Sequence, residues 1–185
     1  MPRDWVEGLL AEMPLVAILR GLAPKDALAV GQALYDAGFR FIEVPLNSPR
    51  PLDSIERLAT AMGRDCLVGA GTVLQASEVD AVREAGGRLI VSPNTDGAVI
   101  ARAVACGMVA MPGFATASEA FAAVKAGARY LKLFPASSHG PGHVKALKAV
   151  LEPAVRILAV GGVTVESMAA WRQAGTDGFG IGGEL

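Results

Sequence analysis

Two cysteines and two histidines among 185 residues leave little with which to build a disulfide framework or a metal cluster. Cys66 and Cys106 fall in strand regions and read as small core residues of a reducing compartment. His139 and His143 flank Gly140-Pro141-Gly142, a spacing that argues against one shared helical face, and no carboxylate cluster accompanies them. They read as solvated loop residues, and no metal site is expected. Net charge is scarce as well: 17 basic residues against 18 acidic ones give −1, with no basic patch, which argues against a nucleic-acid partner. The N-terminus lacks an apolar signal region and no run of about 18 apolar residues exists, so neither export nor membrane insertion is expected and the cytoplasm is. No linker, low-complexity tract or charge block divides the chain. With 52% hydrophobic residues it reads as one domain over 1–185 with a large core.

What is present is a repeat: a helix end, a small residue plus glycine, then a strand. It occurs at Ala37-Gly38, Ala85-Gly86, Cys106-Gly107, Ala126-Gly127 and Ala174-Gly175, while Met62-Gly63 and the Glu152-Pro153 break fill the two wider gaps. Glycine closing a helix before a short strand is the second half of a βαβ unit, and a spacing of about 20–26 residues marks a repeated architecture. Eight strands follow, near 15–19, 40–44, 66–70, 88–91, 108–111, 129–133, 156–160 and 178–182. Amphipathic helical stretches such as 25–37, 52–62, 77–85, 118–126 and 143–151 lie between them. This alternation predicts an α/β fold, a (β/α)8 TIM barrel. An open doubly wound sheet is less suited, because no Gly-x-Gly-x-x-Gly follows the first strand. The stretch 5–12 is expected to cap the barrel bottom. The sequence stops just past strand eight, so the eighth helix is expected to be missing.

One residue breaks the apolar pattern. Lys132 lies within Tyr130-Leu131-Lys132-Leu133-Phe134-Pro135, whereas Lys25, Lys125, Lys145 and Lys148 fall in helices or at their edges. Strands covered on both faces are nearly continuously hydrophobic, and an amine buried there loses its charge more readily, as a nucleophile must. The repeat supplies a partner: Glu43 follows Gly38 by five residues, as Lys132 follows Gly127 by five. Both therefore hold one register, on strands two and six, which lie diametrically opposite and contribute to one inward layer. Glu43 and Lys132 are predicted to face each other near the carboxyl ends of the strands. Buried ion pairs are rarely favourable for stability, which favours a functional reading.

Several segments resemble the pyruvate-dependent aldolases that act on 2-keto-3-deoxy-6-phospho-sugar acids. They are Val16-Ala17-Ile18-Leu19-Arg20-Gly21, Glu43-Val44-Pro45-Leu46-Asn47-Ser48-Pro49 and Val68-Gly69-Ala70-Gly71-Thr72-Val73-Leu74. Ser92-Pro93-Asn94, Met111-Pro112-Gly113, Leu131-Lys132-Leu133-Phe134-Pro135 and Ala159-Val160-Gly161-Gly162-Val163 continue the match in collinear order. Within that family the chain resembles the 6-phosphogalactonate branch more than the 6-phosphogluconate branch. Leu-Asn-Ser-Pro follows the glutamate where the latter carries Leu-Arg-Thr, and Val160 stands where it usually carries threonine. The resemblance implies a class I lyase that cleaves the keto acid to pyruvate and glyceraldehyde 3-phosphate without a cofactor. It also implies a homotrimer, with Lys132 as Schiff-base lysine and Glu43 as acid–base group.

The substrate's two anionic ends call for separate receptors. Arg20, ending strand one, offers a fork that matches a carboxylate, and Thr72 can donate its hydroxyl to the same group. Gly161-Gly162 and Gly182-Gly183 follow strands seven and eight, where glycine-rich loops form the recurring phosphate site of such barrels. Glu184, next in sequence, would oppose a phosphate there. Val160 is expected to set the preference for the C4 epimer, and Pro112, Phe114, Pro135 and Ser137 are further candidates to line the pocket. Two other classes stay open at this point: a metal-dependent pyruvate aldolase and a catalytically silent phosphate-binding barrel.

Overall fold

The computed structural model describes residues 2–183. Helix α1 (Arg3–Glu12) precedes an alternating series: β1 (Leu15–Ile18), α2 (Ala27–Asp36), β2 (Phe41–Pro45), α3 (Pro51–Met62), β3 (Leu67–Gly71), α4 (Ala76–Glu84), β4 (Leu89–Val91), α5 (Gly97–Ala105) and β5 (Val109–Met111). There follow β6 (Gly113–Phe114), α6 (Ala117–Lys125), β7 (Tyr130–Leu133), α7 (Pro141–Lys148), β8 (Arg156–Val160), α8 (Val165–Gln173) and β9 (Gly178–Ile181). The glycines that close the repeats do so in left-handed conformation, with φ of 94° at Gly38 and 106° at Gly127, for example. That conformation ends a helix cheaply only where no Cβ is present. Gly63 differs, closing α3 at a right-handed φ of −67°.

All pairings are parallel, in the order β5-β4-β3-β2-β1-β9-β8-β7-β6. The nine strands among the described residues make an eight-stranded barrel because β5 and β6 are two parts of one strand, divided at Pro112. Proline has no N–H to donate, so the ladder breaks there. The first part pairs with β4 and the second with β7, while the Pro112 carbonyl accepts the Lys132 amide at 2.9 Å. One broken strand thus joins both edges of the sheet and closes the barrel.

Alternation along the strands builds two apolar layers. Ile42, Val44, Val68, Ile90, Leu131, Leu133 and Ile157 point outward under the helices. Val16, Phe41, Leu67, Leu89, Val109, Met111, Tyr130 and Leu158 point inward and meet Val6, Leu9 and Leu10 of α1. Helix α1 therefore plugs the bottom, as the sequence suggests. At the bottom Tyr130 donates to Glu7 at 2.8 Å and Arg156 to Glu7 at 2.9 Å, pinning the plug. Among the described residues no helix follows β9, and the outward side chains Leu15 and Ile181 stay partly exposed. Cys66 is buried just ahead of β3; Cys106 caps α5 instead of entering a strand, and both thiols are free. Among the described residues, no helix is long and apolar enough to cross a membrane.

Candidate active site

Glu43 is the third residue of β2 and Lys132 the third of β7, both inward by the alternation that turns Phe41 and Tyr130 inward. In the barrel order β2 and β7 stand four strands apart by either route, so the two side chains approach from opposite walls. They are 2% and 8% exposed. No ion pair joins them among the described residues, and Glu43 Oε2 is buried without a hydrogen-bond partner. Burial penalises either charge, so each group moves toward its neutral form. Desolvation lifts the Glu43 carboxyl from the ordinary 4.5 to about 7, against the opposing pull of Lys132 and Arg20. Desolvation also holds Lys132 below its usual value, helped by the Arg20 charge and resisted by Glu43. The amine thus reaches its nucleophilic form more easily than a surface lysine, facing a carboxyl able to exchange protons near neutral pH.

Beside this pair, at the carboxyl ends of the strands, opens a cavity of about 320 Å³ lined by Arg20, Phe134, Val160, Gly161, Gly162, Thr164, Gly180, Gly182 and Gly183, among others. The structure thus brings Arg20, Val160 and all four expected phosphate-loop glycines into one space. Gly161 and Gly162 turn in left-handed conformation, with φ of 91° and 76°, and the Gly161 carbonyl accepts the Ser137 amide at 3.0 Å. A Cβ on Gly162 would press on the Ser137 side chain, so that serine flanks the turn. Helix α8 begins immediately beyond, its entry fixed by the Ser167 hydroxyl, which accepts the Thr164 amide at 3.0 Å. A helix N-terminus with glycine turns beside it suits an anion. Glu184, expected to oppose a phosphate, lies outside the described residues.

Thr72 is not brought into the cavity that Arg20 lines. It follows β3 with φ of 58°, an unfavourable conformation for a β-branched residue. Its neighbour holds it there: Val73 donates to the Val91 carbonyl at 3.2 Å, and the Ser92 hydroxyl donates to the Val73 carbonyl at 2.7 Å. Pro112 and Phe114 are buried in the wall of the barrel, with Phe114 in the outer apolar layer, because their position in the alternation turns them away from the interior. Phe134 is the residue that sequence reasoning passed over. It keeps the parity of Tyr130 and Lys132, and its ring centre lies 4.8 Å from Lys132 Nζ.

The two histidines are not simply solvated. Their ring centres are 4.8 Å apart and His143 Nε2 is buried without a hydrogen-bond partner among the described residues. Proline at the first position of α7 is what places His143 inside that helix. No group of three or more His, Cys, Asp or Glu side chains able to hold a metal occurs among the described residues. A larger cavity, about 430 Å³, opens at the opposite end around Glu7, Arg156 and Asp177. Its charges are paired with one another and with Lys148, which argues for a structural role.

The profile of the KDPG and KHG aldolase family matches residues 6–184. The chain is similar to the 2-dehydro-3-deoxy-6-phosphogalactonate aldolase of Escherichia coli strain K12, with 52% identity over 174 residues that cover 94% of this chain and 85% of that one. It is similar to a solved structure described as native KDPGal, with a TM-score of 0.92 and 52% identity, covering 94% of this chain and 84% of the other. It is also similar to the KDPG aldolase of Legionella pneumophila, solved with pyruvate captured at low pH as a covalent carbinolamine intermediate. There the TM-score is 0.84 and the identity 27%, over 94% of this chain and 84% of that one. A lone buried lysine opposite a buried glutamate, at the mouth of a closed barrel, is thus found in a chain that belongs to the KDPG and KHG aldolase family.

Proposed function

We propose that this chain is a Schiff-base aldolase that cleaves 2-dehydro-3-deoxy-6-phosphogalactonate to pyruvate and D-glyceraldehyde 3-phosphate. The observation that carries the mechanism is the pair of buried, mutually unpaired groups on opposite walls, Lys132 and Glu43. Neutral Lys132 attacks the C2 ketone to give a carbinolamine, which loses water to become an iminium. The Glu43 carboxylate accepts the C4 hydroxyl proton as the C3–C4 bond breaks, and the bonding electrons enter the iminium to leave an enamine. The aldehyde departs, Glu43 returns its proton to C3, and water hydrolyses the resulting iminium to release pyruvate and the free amine. No step calls for a cofactor or metal.

In this reading the phosphate sits between the turn Gly161-Gly162 at the start of α8 and Gly182-Gly183 after β9. Arg20 reaches from the cavity wall toward an anionic end, and Thr72 from the far side of the mouth serves the keto-acid carboxylate. Val160, 6% exposed, presents only methyl groups to the cavity. An apolar neighbour gives no reward to the epimer whose C4 hydroxyl would seek a partner there, which favours the galactonate configuration. We also propose a cytoplasmic homotrimer: free thiols suit a reducing compartment, and exposed apolar side chains such as Leu74 and Phe121 offer a basis for association, readable by light scattering. The decisive test is borohydride reduction in the presence of pyruvate. One pyruvyl-derived mass should appear on the peptide that contains Lys132 and vanish in Lys132→Ala. A label on Lys125 or Lys145, or full turnover by Lys132→Ala, would sink the mechanism.

A further inference from the structure

We infer that Gly71 is a positioning residue, whose missing side chain lets the Glu43 carboxyl lie over β3 and out of contact with Lys132. The inference rests on the Schiff-base reading of Lys132. Glu43 is in register with Gly69, and the next inward position on β3, toward the mouth, is Gly71. A Cβ at Gly71 would fall on the Glu43 carboxyl group itself, so the acid occupies the space that a side chain would fill. Backbone conformation does not require glycine here, because Gly71 is not among the positive-φ residues. Gly69 is different: a Cβ there would strike the Leu89 backbone, so β3–β4 packing alone accounts for it.

The arrangement has a chemical consequence. A carboxylate in contact with Lys132 would hold it as ammonium, which cannot attack a ketone. With Glu43 over Gly71, Oε2 is left without a partner among the described residues, and no ion pair among them joins Glu43 to Lys132 across the barrel. The acid remains available to a substrate hydroxyl instead of being consumed by the lysine. A methyl group at Gly71 closes the space over β3. Ile18 of β1 occupies the other side, in register with Glu43, and Phe41 lies below on the same strand face. The open direction is then the barrel axis, toward Lys132. The charged groups that act on this lysine are Glu43 from β2 and Arg20 from the turn after β1; those that act on Glu43 are Lys132 and Arg20.

The test is the pH dependence of pyruvate trapping on Lys132 with cyanoborohydride, in the wild type, Gly71→Ala, Glu43→Gln and the double variant. Gly71→Ala should move the trapping midpoint up by about one pH unit, a roughly tenfold slower reaction at pH 7, because the displaced carboxylate pairs with the amine. Adding Glu43→Gln should bring the midpoint back, since an amide cannot hold the ammonium. A Gly71→Ala protein that traps with the wild-type midpoint overturns the inference, and so does a shift that survives Glu43→Gln. If Gly71→Ala does not fold, Glu43→Gln alone decides. Loss of an unpaired acid should lower the midpoint by less than about one unit, and a larger drop would mean that the pair already exists. A wild type that traps pyruvate at no pH removes the Schiff-base reading itself, and the inference with it. Trapping by the wild type with an unmoved Gly71→Ala removes the inference alone.

Discussion

Burying Glu43 with one oxygen unpartnered makes its ionisation a cost to the fold. The carboxyl ionises near 4.5 when exposed and at about 7 in the fold, so between these values the native state holds a proton that the unfolded chain has released. Its contribution to stability is fully present below the lower value and lost as pH rises through the higher one, a span worth about 3 kcal/mol. Lys132 acts in the opposite sense: its amine is held below the usual value, so stability falls as pH drops below the ordinary lysine range. We predict that Glu43→Gln, which cannot ionise, matches the wild type at pH 5 and exceeds it by about 2 kcal/mol at pH 8 in urea denaturation. Turnover should fall about 10²–10⁴-fold, the range for a positioned acid–base group. A variant less stable than wild type at pH 8 would make Glu43 a structural residue. The position of this pair was legible in the sequence, because equal spacing from the closing glycines fixes equal register. The room for the acid over Gly71 was not, since it depends on how far a side chain reaches across to the next strand.

At the scale of elements, the turn between β8 and α8 combines two demands. Gly161 and Gly162 must adopt left-handed backbone, and their lack of side chains leaves the space beside Ser137 and the start of α8 open. Gly162→Ala should therefore cost about 1–3 kcal/mol of stability through its strained φ. In the condensation direction it should raise KM for glyceraldehyde 3-phosphate several-fold, while pyruvate trapping at Lys132 stays nearly unchanged. Equal effects on phosphorylated and unphosphorylated aldehyde would show that the turn does not hold the phosphate. Strand and helix positions could be read from alternation and from glycine closures, and those closures are left-handed at Gly38, Gly86, Gly107, Gly127 and Gly175. The division of the fifth strand at Pro112 could not. A two-residue segment such as Gly113–Phe114 carries no periodicity, and only closure of the barrel gives it a partner.

Across the whole molecule, the candidate site and the charged network that holds α1 lie at opposite ends of one barrel. The mouth leaves Glu43 and Lys132 without an ion pair among the described residues, whereas the bottom ties α1 down through Glu7, Tyr130 and Arg156, with Arg156 continuing to Asp177 at 3.3 Å. Burial works against the Glu7 charge, but donation from Arg156 and Tyr130 outweighs it and keeps the acid below its ordinary value. Glu7→Ala should lose about 1–3 kcal/mol, because Tyr130 and Arg156 are left with unmet donors in a partly buried site. Its turnover and its trapping of pyruvate should match the wild type under conditions where it is folded. A loss of turnover at unchanged stability would mean that the plug reaches the mouth.

The sequence by itself determined the eight alternating units, the capping helix and the opposition of Glu43 to Lys132. Hydrophobic period and glycine spacing are local properties, and a barrel of eight such units leaves one arrangement for two residues in the same register four strands apart. Tertiary structure alone decided that those two groups form no ion pair with each other, that Arg20 shares a cavity with the glycine turns while Thr72 stands outside it, and that the His139 and His143 rings meet at a tilt. Each of these depends on contacts between side chains and the backbone of other segments, and no spacing along the chain encodes how those surfaces meet.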